Sequence, residues 1–132
     1  MNIVIDTNVV ISGTFFGGPP RKVLEAVVER TVSAYATAEI VDEYHDVVEE
    51  MIRRKQGHLS SAVLAPFVQK LHMIETTTSI HASRDPDDDK FLECAVDSCS
   101  VYVVSGDKDL LVLEQFENIE IITAAEFCKR FL

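Results

Sequence analysis

The stretch Met1-Asn2-Ile3-Val4-Ile5-Asp6-Thr7-Asn8 decides how this chain folds. Ile3, Val4 and Ile5 run together with no polar face, the pattern of a central parallel strand covered on both sides; a half-exposed strand would alternate. Asp6 closes the run. A second continuous apolar strand, Val101 to Val104, ends in Ser105-Gly106-Asp107, and Ile119 to Ile122 makes a third. Ligands of parallel α/β sheets bind beyond the carboxyl ends of the strands, which is where Asp6 and Asp107 fall.

Working outward, Gly13, Gly17, Gly18, Pro19 and Pro20 predict a mobile loop, with Pro20 suited to the first turn of a helix carrying Val23, Leu24, Val27 and Val28. A short strand follows at Val32 to Ala36. Thr37 can cap the next helix, whose apolar positions Ile40, Tyr44, Val47, Val48 and Met51 recur at helical spacing through Ile52. At about 100° per residue, Glu43 lies at the border of that stripe and Asp42 points away from it. Gln56 to Ser61 breaks the pattern, and a second helix with Val63, Leu64, Phe67, Val68 and Leu71 completes an αα arm. A weak strand is expected near Met73 to Thr76, then polar loop to Arg84.

The run Arg84-Asp85-Pro86-Asp87-Asp88-Asp89-Lys90 reads as a helix start, because Pro86 disfavours helix before it and acids favour a first turn. On the stripe of Leu92, Ala95, Val96 and Cys99, Asp88 projects closest to the buried face, Asp89 somewhat less, and Asp87 outward. Ala124 to Leu132 makes a closing helix. Alternating strands and helices predict a doubly wound or related α/β sheet with right-handed crossovers, in one domain spanning residues 1–132.

Composition narrows the functional classes. Of the 132 residues 47% are hydrophobic and 26% charged, ordinary for a globular domain. Neither a charged leader with an apolar stretch nor a long uncharged run appears, so no membrane association and a cytoplasmic location are expected. Cys94, Cys99 and Cys128 form no CxxC pair and fit reduced core thiols. A net charge of −10 argues against a broad basic platform for nucleic acid; such contact would be short and metal-centred, or would depend on a local patch.

The chemistry rests on Asp6, Glu43, Asp88 and Asp107. Singly, each has an ordinary role as a turn residue, solvated helix residue, first-turn dipole partner or helix cap. Together, on stretches that a parallel sheet brings to one edge, they describe a carboxylate pocket whose mutual repulsion a hard cation would relieve. Phosphodiester hydrolysis needs an activated water, neutralised phosphate oxygens and a stabilised leaving oxygen, which one or two Mg²⁺ or Mn²⁺ ions can supply. Asp6, Asp88 and Asp107 would hold metal directly, and Glu43 could ligate or orient the water. Asn8 could hydrogen-bond the first carboxylate, and Ser105 and Gly106 permit close approach of a ligand.

Other chemistries lack their residues. There is no GxGxxG, GKS/T or GxSxG, and His45, His58, His72 and His81 stand apart without ligand spacing. An Asp-nucleophile phosphotransferase would need a second Asp where Asn8 stands. Arg53-Arg54-Lys55 reads as a helix C-terminal cation cluster, or more sharply as a grip on RNA phosphates. Phe15 and Phe16 read as packing residues, with base stacking as the sharper alternative.

The segments Ile3-Val4-Ile5-Asp6-Thr7-Asn8-Val9-Val10, the Glu43 helix, Arg84 to Leu92, and Val103-Val104-Ser105-Gly106-Asp107-Lys108-Asp109-Leu110-Leu111 resemble the ordered motifs of PIN domains. The likeness covers essentially the whole chain and is nearest to small stand-alone PIN proteins proposed as toxins of toxin–antitoxin pairs. It implies a three-layer α/β/α sandwich on a mostly parallel five-stranded sheet, and a Mg²⁺- or Mn²⁺-dependent endoribonuclease acting on single-stranded RNA. The family's acidic quartet carries over to Asp6, Glu43, Asp88 and Asp107, with Asn8 and Ser105 in supporting positions. For the third role the acid run offers Asp85, Asp88 and Asp89, of which helical phase and the Asp-Pro-x-Asp pattern select Asp88. Asp109 is an additional outer-shell candidate or a first-turn dipole partner. The resemblance also implies an antitoxin partner and a homodimer. The competing class is a non-catalytic RNA- or protein-binding module that keeps the fold.

Overall fold

A computed structural model describes residues 1–55 and 60–132 of the chain. The expected break at Gln56 to Ser61 therefore lies mostly outside the described residues, as does His58. The elements are β1 (Asn2–Ile5), α1 (Thr7–Phe15), α2 (Gly18–Val28), β2 (Ser33–Ala36), α3 (Ala38–Arg54), α4 (Leu64–Gln69) and β3 (His72–Met73). A 3-10 turn at Pro86–Asp88 leads into α5 (Asp89–Asp97), followed by β4 (Tyr102–Val104), α6 (Lys108–Leu111), β5 (Gln115–Phe116), β6 (Ile119–Ile122) and α7 (Ala124–Phe131).

The strands form one sheet in the order β3-β2-β1-β4-β6-β5, parallel except for β5 on β6. β1 is central, with Val4 opposite Val103 of β4 and Ile3 opposite Ala34 of β2, and Ile3, Val4 and Ile5 are fully buried. The continuous apolar run of the amino terminus is thus explained by helical layers over both faces of the sheet. From β1 the chain winds outward through β2 to β3, then returns past β1 to β4 and β6. The change of direction falls between β1 and β4, the topological switch point where parallel sheets open a crevice.

Two expectations need correction. The sheet has six strands among the described residues where five were expected, because the two-residue β5 adds an antiparallel edge through a tight turn in which Glu117 has φ 53°. So short a segment has no alternation to reveal it. The second correction is α1, in a segment read as leading into a mobile loop. Val9, Val10, Ile11, Gly13 and Thr14 are buried, so the helix is apolar nearly all round and lacks an amphipathic stripe. Gly13 serves helix packing: a Cβ there would lie 2.7 Å from Leu24 Cδ1 and 2.9 Å from the Pro20 carbonyl oxygen. Arg21 of α2 closes the end of α1 by donating to the Gly13 and Thr14 carbonyls, both at 2.8 Å.

Smaller departures follow the same logic. Cys94 is buried, whereas Cys99 is exposed at a left-handed turn (φ 55°) and Cys128 is half-buried, so the core-thiol expectation holds for Cys94 alone. Val47 is exposed although it shares the apolar spacing of α3. Phe15 packs against the core, while Phe16 is 66% exposed. No helix among the described residues is long and apolar enough to cross a membrane.

Candidate metal centre

Asp6 follows β1 and caps α1 by position, with extended backbone (φ −68°, ψ 150°), yet its side chain makes no capping bond. Its carboxylate is free to accept from Ser105 Oγ at 2.6 Å. Ser105, wholly buried just past β4, accepts in turn from the Asp107 N–H at 2.9 Å. One hydroxyl therefore ties the two strand-end acids across the switch point. Asp107 caps α6 through the Asp109 N–H (2.9 Å). Asn8 does not reach the first carboxylate as expected; its Oδ1 accepts from the Gly106 N–H at 3.2 Å and holds the β4 loop against α1.

Glu43 arrives on α3. The buried Tyr44 beside it donates its hydroxyl to the Ile5 carbonyl, pinning α3 to the end of β1. Both Glu43 oxygens have donors: Thr7 Oγ1 on Oε2, and Lys90 Nζ on Oε1 at 2.7 Å. No periodicity or motif spacing points to Lys90; only the fold brings it to Glu43. Although burial opposes its charge, Glu43, Glu39 and Asp87 hold its ammonium above the ordinary lysine value.

The acid run divides its labour. Asp89 is buried, and its Oδ1 accepts from the Ala82 and Ser83 N–H groups at 3.1 and 2.8 Å. Glu93 and Asp97, at four-residue spacing on the same helix, accept from Ile80 and from Thr77 and Thr78. The polar segment before Pro86 is thus laced to α5 through one row of acids. Asp85 caps the 3-10 turn through the Asp87 N–H at 3.1 Å. Asp88 is different: it is 8% exposed, and its Oδ2 is buried with no hydrogen-bond donor.

Electrostatics mark the same residues. Burial is the main cause that pushes Asp6 up to about 6; Asp107 and Glu43 add repulsion against the relief from Ser105 and the Thr7 N–H. Asp88 is pushed up to about 8, first by burial, then by the facing Asp107 carboxylate, with Asp6 and Asp85 contributing. Hard oxygen donors, an unpartnered buried oxygen and carboxylates that resist ionisation together fit a divalent cation. Among the described residues, the three acids whose oxygens lie within 4.8 Å of one another are Asp85, Asp88 and Asp109, not the expected Asp6, Asp88 and Asp107. Asp88 belongs to that group and also feels the Asp107 and Asp6 carboxylates. Asp109 there pairs with Arg84 at 3.0 Å.

On the other side of the Ser105–Gly106 loop, a cleft of about 350 Å³ lined by Asn8, Ser12, Pro19, Ser105, Gly106 and Thr123 carries no charge and includes none of the acids. The basic run is spent partly within its own helix: Arg53 and Arg54 both pair with Glu50. His72 stacks on Tyr35 with ring centroids 4.9 Å apart, an ordinary packing role.

An uncharacterized protein of Methanocaldococcus jannaschii is 29% identical over 143 aligned positions, spanning 99% of this chain and 92% of the relative. No solved structure gives a significant match. The sequence profile of the PIN domain family matches residues 2–109, from the first residue of β1 through Asp107 and Asp109, and the chain belongs to that family.

Proposed function

We propose that the protein is a Mg²⁺- or Mn²⁺-dependent endoribonuclease that cleaves single-stranded RNA in the cytoplasm. The observation that carries this reading is Asp88, a buried carboxylate with an unpartnered oxygen, raised to about 8 beside Asp107 and Asp6. Asp6, Asp88 and Asp107 would hold the ion. A bound divalent cation would neutralise these carboxylates and the scissile phosphate and lower the pKa of a water. Ser105 keeps the Asp6 carboxylate aimed at the pocket, and Glu43 orients the attacking water and takes its proton. The uncharged cleft beside Ser105 and Gly106 offers an RNA strand an approach that avoids the surrounding acids.

The test is a cleavage assay on mixed-sequence single-stranded RNA with Mn²⁺, run beside Asp6→Asn. The substitution should abolish cleavage and leave the fold intact; equal cleavage by both proteins would mark a contaminant. Saturable metal binding without any hydrolysis would favour the non-catalytic binding module. Through its likeness to small PIN proteins of toxin–antitoxin pairs, the chain further suits the toxin half of such a pair. The exposed Phe16 would then form part of the antitoxin surface. Growth arrest on expression, relieved by Asp6→Asn, is the outcome that role requires.

A further inference from the structure

We propose that Lys90 is a positioning residue that holds Glu43 outside the ligand set of the metal, as the carboxylate that orients the attacking water; the proposal rests on the nuclease reading above. Glu43 is fully engaged, with Thr7 Oγ1 on one oxygen and Lys90 Nζ on the other. A carboxylate held by two donors on two elements is poorly placed to swing onto a cation, yet it keeps acceptor capacity for a water, because each oxygen has two lone pairs.

Lys90 is itself immobilised. Its side chain is 11% exposed, its ammonium donates to the Asp87 carbonyl at 2.6 Å, and it lies 5.2 Å from the centre of the Phe91 ring. The residue stands in the first turn of α5, where the helix dipole disfavours a cation. Its location is therefore poor for the helix dipole and is sustained by Glu43 on α3 and by the Asp87 carbonyl. A grip on RNA phosphate is the obvious competing role for a lysine here. The surroundings oppose it: the cavity of about 550 Å³ that Lys90 lines is otherwise lined by Glu39, Asp42, Glu43, Asp46 and Asp87. A phosphate would have to enter past four acids to reach one ammonium already paired with a fifth, Glu43.

The experiment compares wild type, Lys90→Met, Lys90→Arg, Glu43→Gln and the Lys90→Met/Glu43→Gln double variant, each for Mn²⁺ affinity by calorimetry and for kcat and KM on single-stranded RNA. Lys90→Met should bind Mn²⁺ roughly threefold to tenfold more tightly, chiefly because Glu43 is released toward the ion. Its kcat should fall roughly tenfold to a hundredfold with KM within about twofold, the signature of lost positioning in the transition state. Lys90→Arg should recover most of kcat. In the Glu43→Gln background, Lys90→Met should leave kcat unchanged and tighten Mn²⁺ by less than about twofold, because the residues act as one unit.

A rise in KM at constant kcat would overturn the proposal in favour of phosphate contact. Equal effects in both backgrounds, or lost melting temperature with unchanged Mn²⁺ affinity, would reduce Lys90 to a structural clamp and overturn it too. A wild type that binds Mn²⁺ without cleaving RNA defeats the nuclease reading alone, while the five affinities still decide the role of Lys90. A wild type that binds no Mn²⁺ defeats both.

Discussion

Ser105 shows how much one hydroxyl can organise: it donates to Asp6 and accepts from the Asp107 N–H, at the meeting point of β1 and β4. Replacing it by Ala removes the hydrogen bond that opposes burial at Asp6, so the Asp6 pKa should climb above about 6. Cleavage should fall roughly tenfold near neutral pH and recover in part at alkaline pH, read from a pH profile of kcat/KM. Asp88→Asn should act oppositely on stability and function. It removes an anion that is costly to bury, so the metal-free variant should melt a few degrees higher at pH 9 and lose the stabilisation by Mn²⁺. At pH 5 the gain should vanish, because Asp88 there already holds a proton. The spacing of the sequence ranked Asp88 ahead of Asp89 toward the buried face; both are buried, Asp89 slightly more deeply, and Asp88 lies in the 3-10 turn that leads into α5. Periodicity names a face and never a partner on another element, so Ser105 as a bridge, Asp89 as a loop anchor and Lys90 against Glu43 were not legible.

Elements were legible where burial is one-sided along a helix or complete along a strand. α3 and α5 show an apolar stripe against polar faces, and β1 and β4 are unbroken apolar runs. α1 escaped because Val9, Val10, Ile11 and Thr14 are β-branched, and such residues favour strand unless tertiary packing overrides them. That packing is tight at Gly13. Gly13→Ala should cost about 1–3 kcal/mol, as overpacking does, with a lowered urea midpoint as the readout. The loop before Pro86 shows a different blindness, since its order comes from acids six to twenty residues further along the chain. Thr77 and Thr78 hold the Asp97 carboxyl below the usual range, with the Thr78 hydroxyl the largest cause. Asp97→Ala should speed amide exchange at residues 77 and 78 and leave the protection of β1 unchanged.

For the whole molecule, the acids at the switch point make stability depend on pH and metal together. Asp6 and Asp88 have folded pKa values raised to about 6 and about 8 from an ordinary 3.8. The folded state therefore binds more protons than the unfolded chain between about pH 4 and 8. By linkage, stability from these two groups is greatest at the acidic end and is lost as pH rises through their folded values. A bound cation restores what is lost, so the rise in melting temperature with millimolar Mn²⁺ should be larger at pH 8 than at pH 5. The net charge of −10 adds self-repulsion at the alkaline end and, on the proposed nuclease reading, would make RNA binding depend on the metal rather than on a broad basic surface.

On the proposed reading, Asp6, Asp88 and Asp107 share one divalent ion. Binding should then displace the protons that Asp6 and Asp88 retain. The direct measurement is the number of protons released per Mn²⁺, obtained by calorimetric titration at pH 7 in buffers of different ionisation enthalpy. With pKa values of about 6 and about 8, the account predicts release of about one proton, falling to near zero in Asp88→Asn. Binding that releases no proton from the wild type, or that proceeds with the same affinity and proton count in Asp88→Asn, would contradict it.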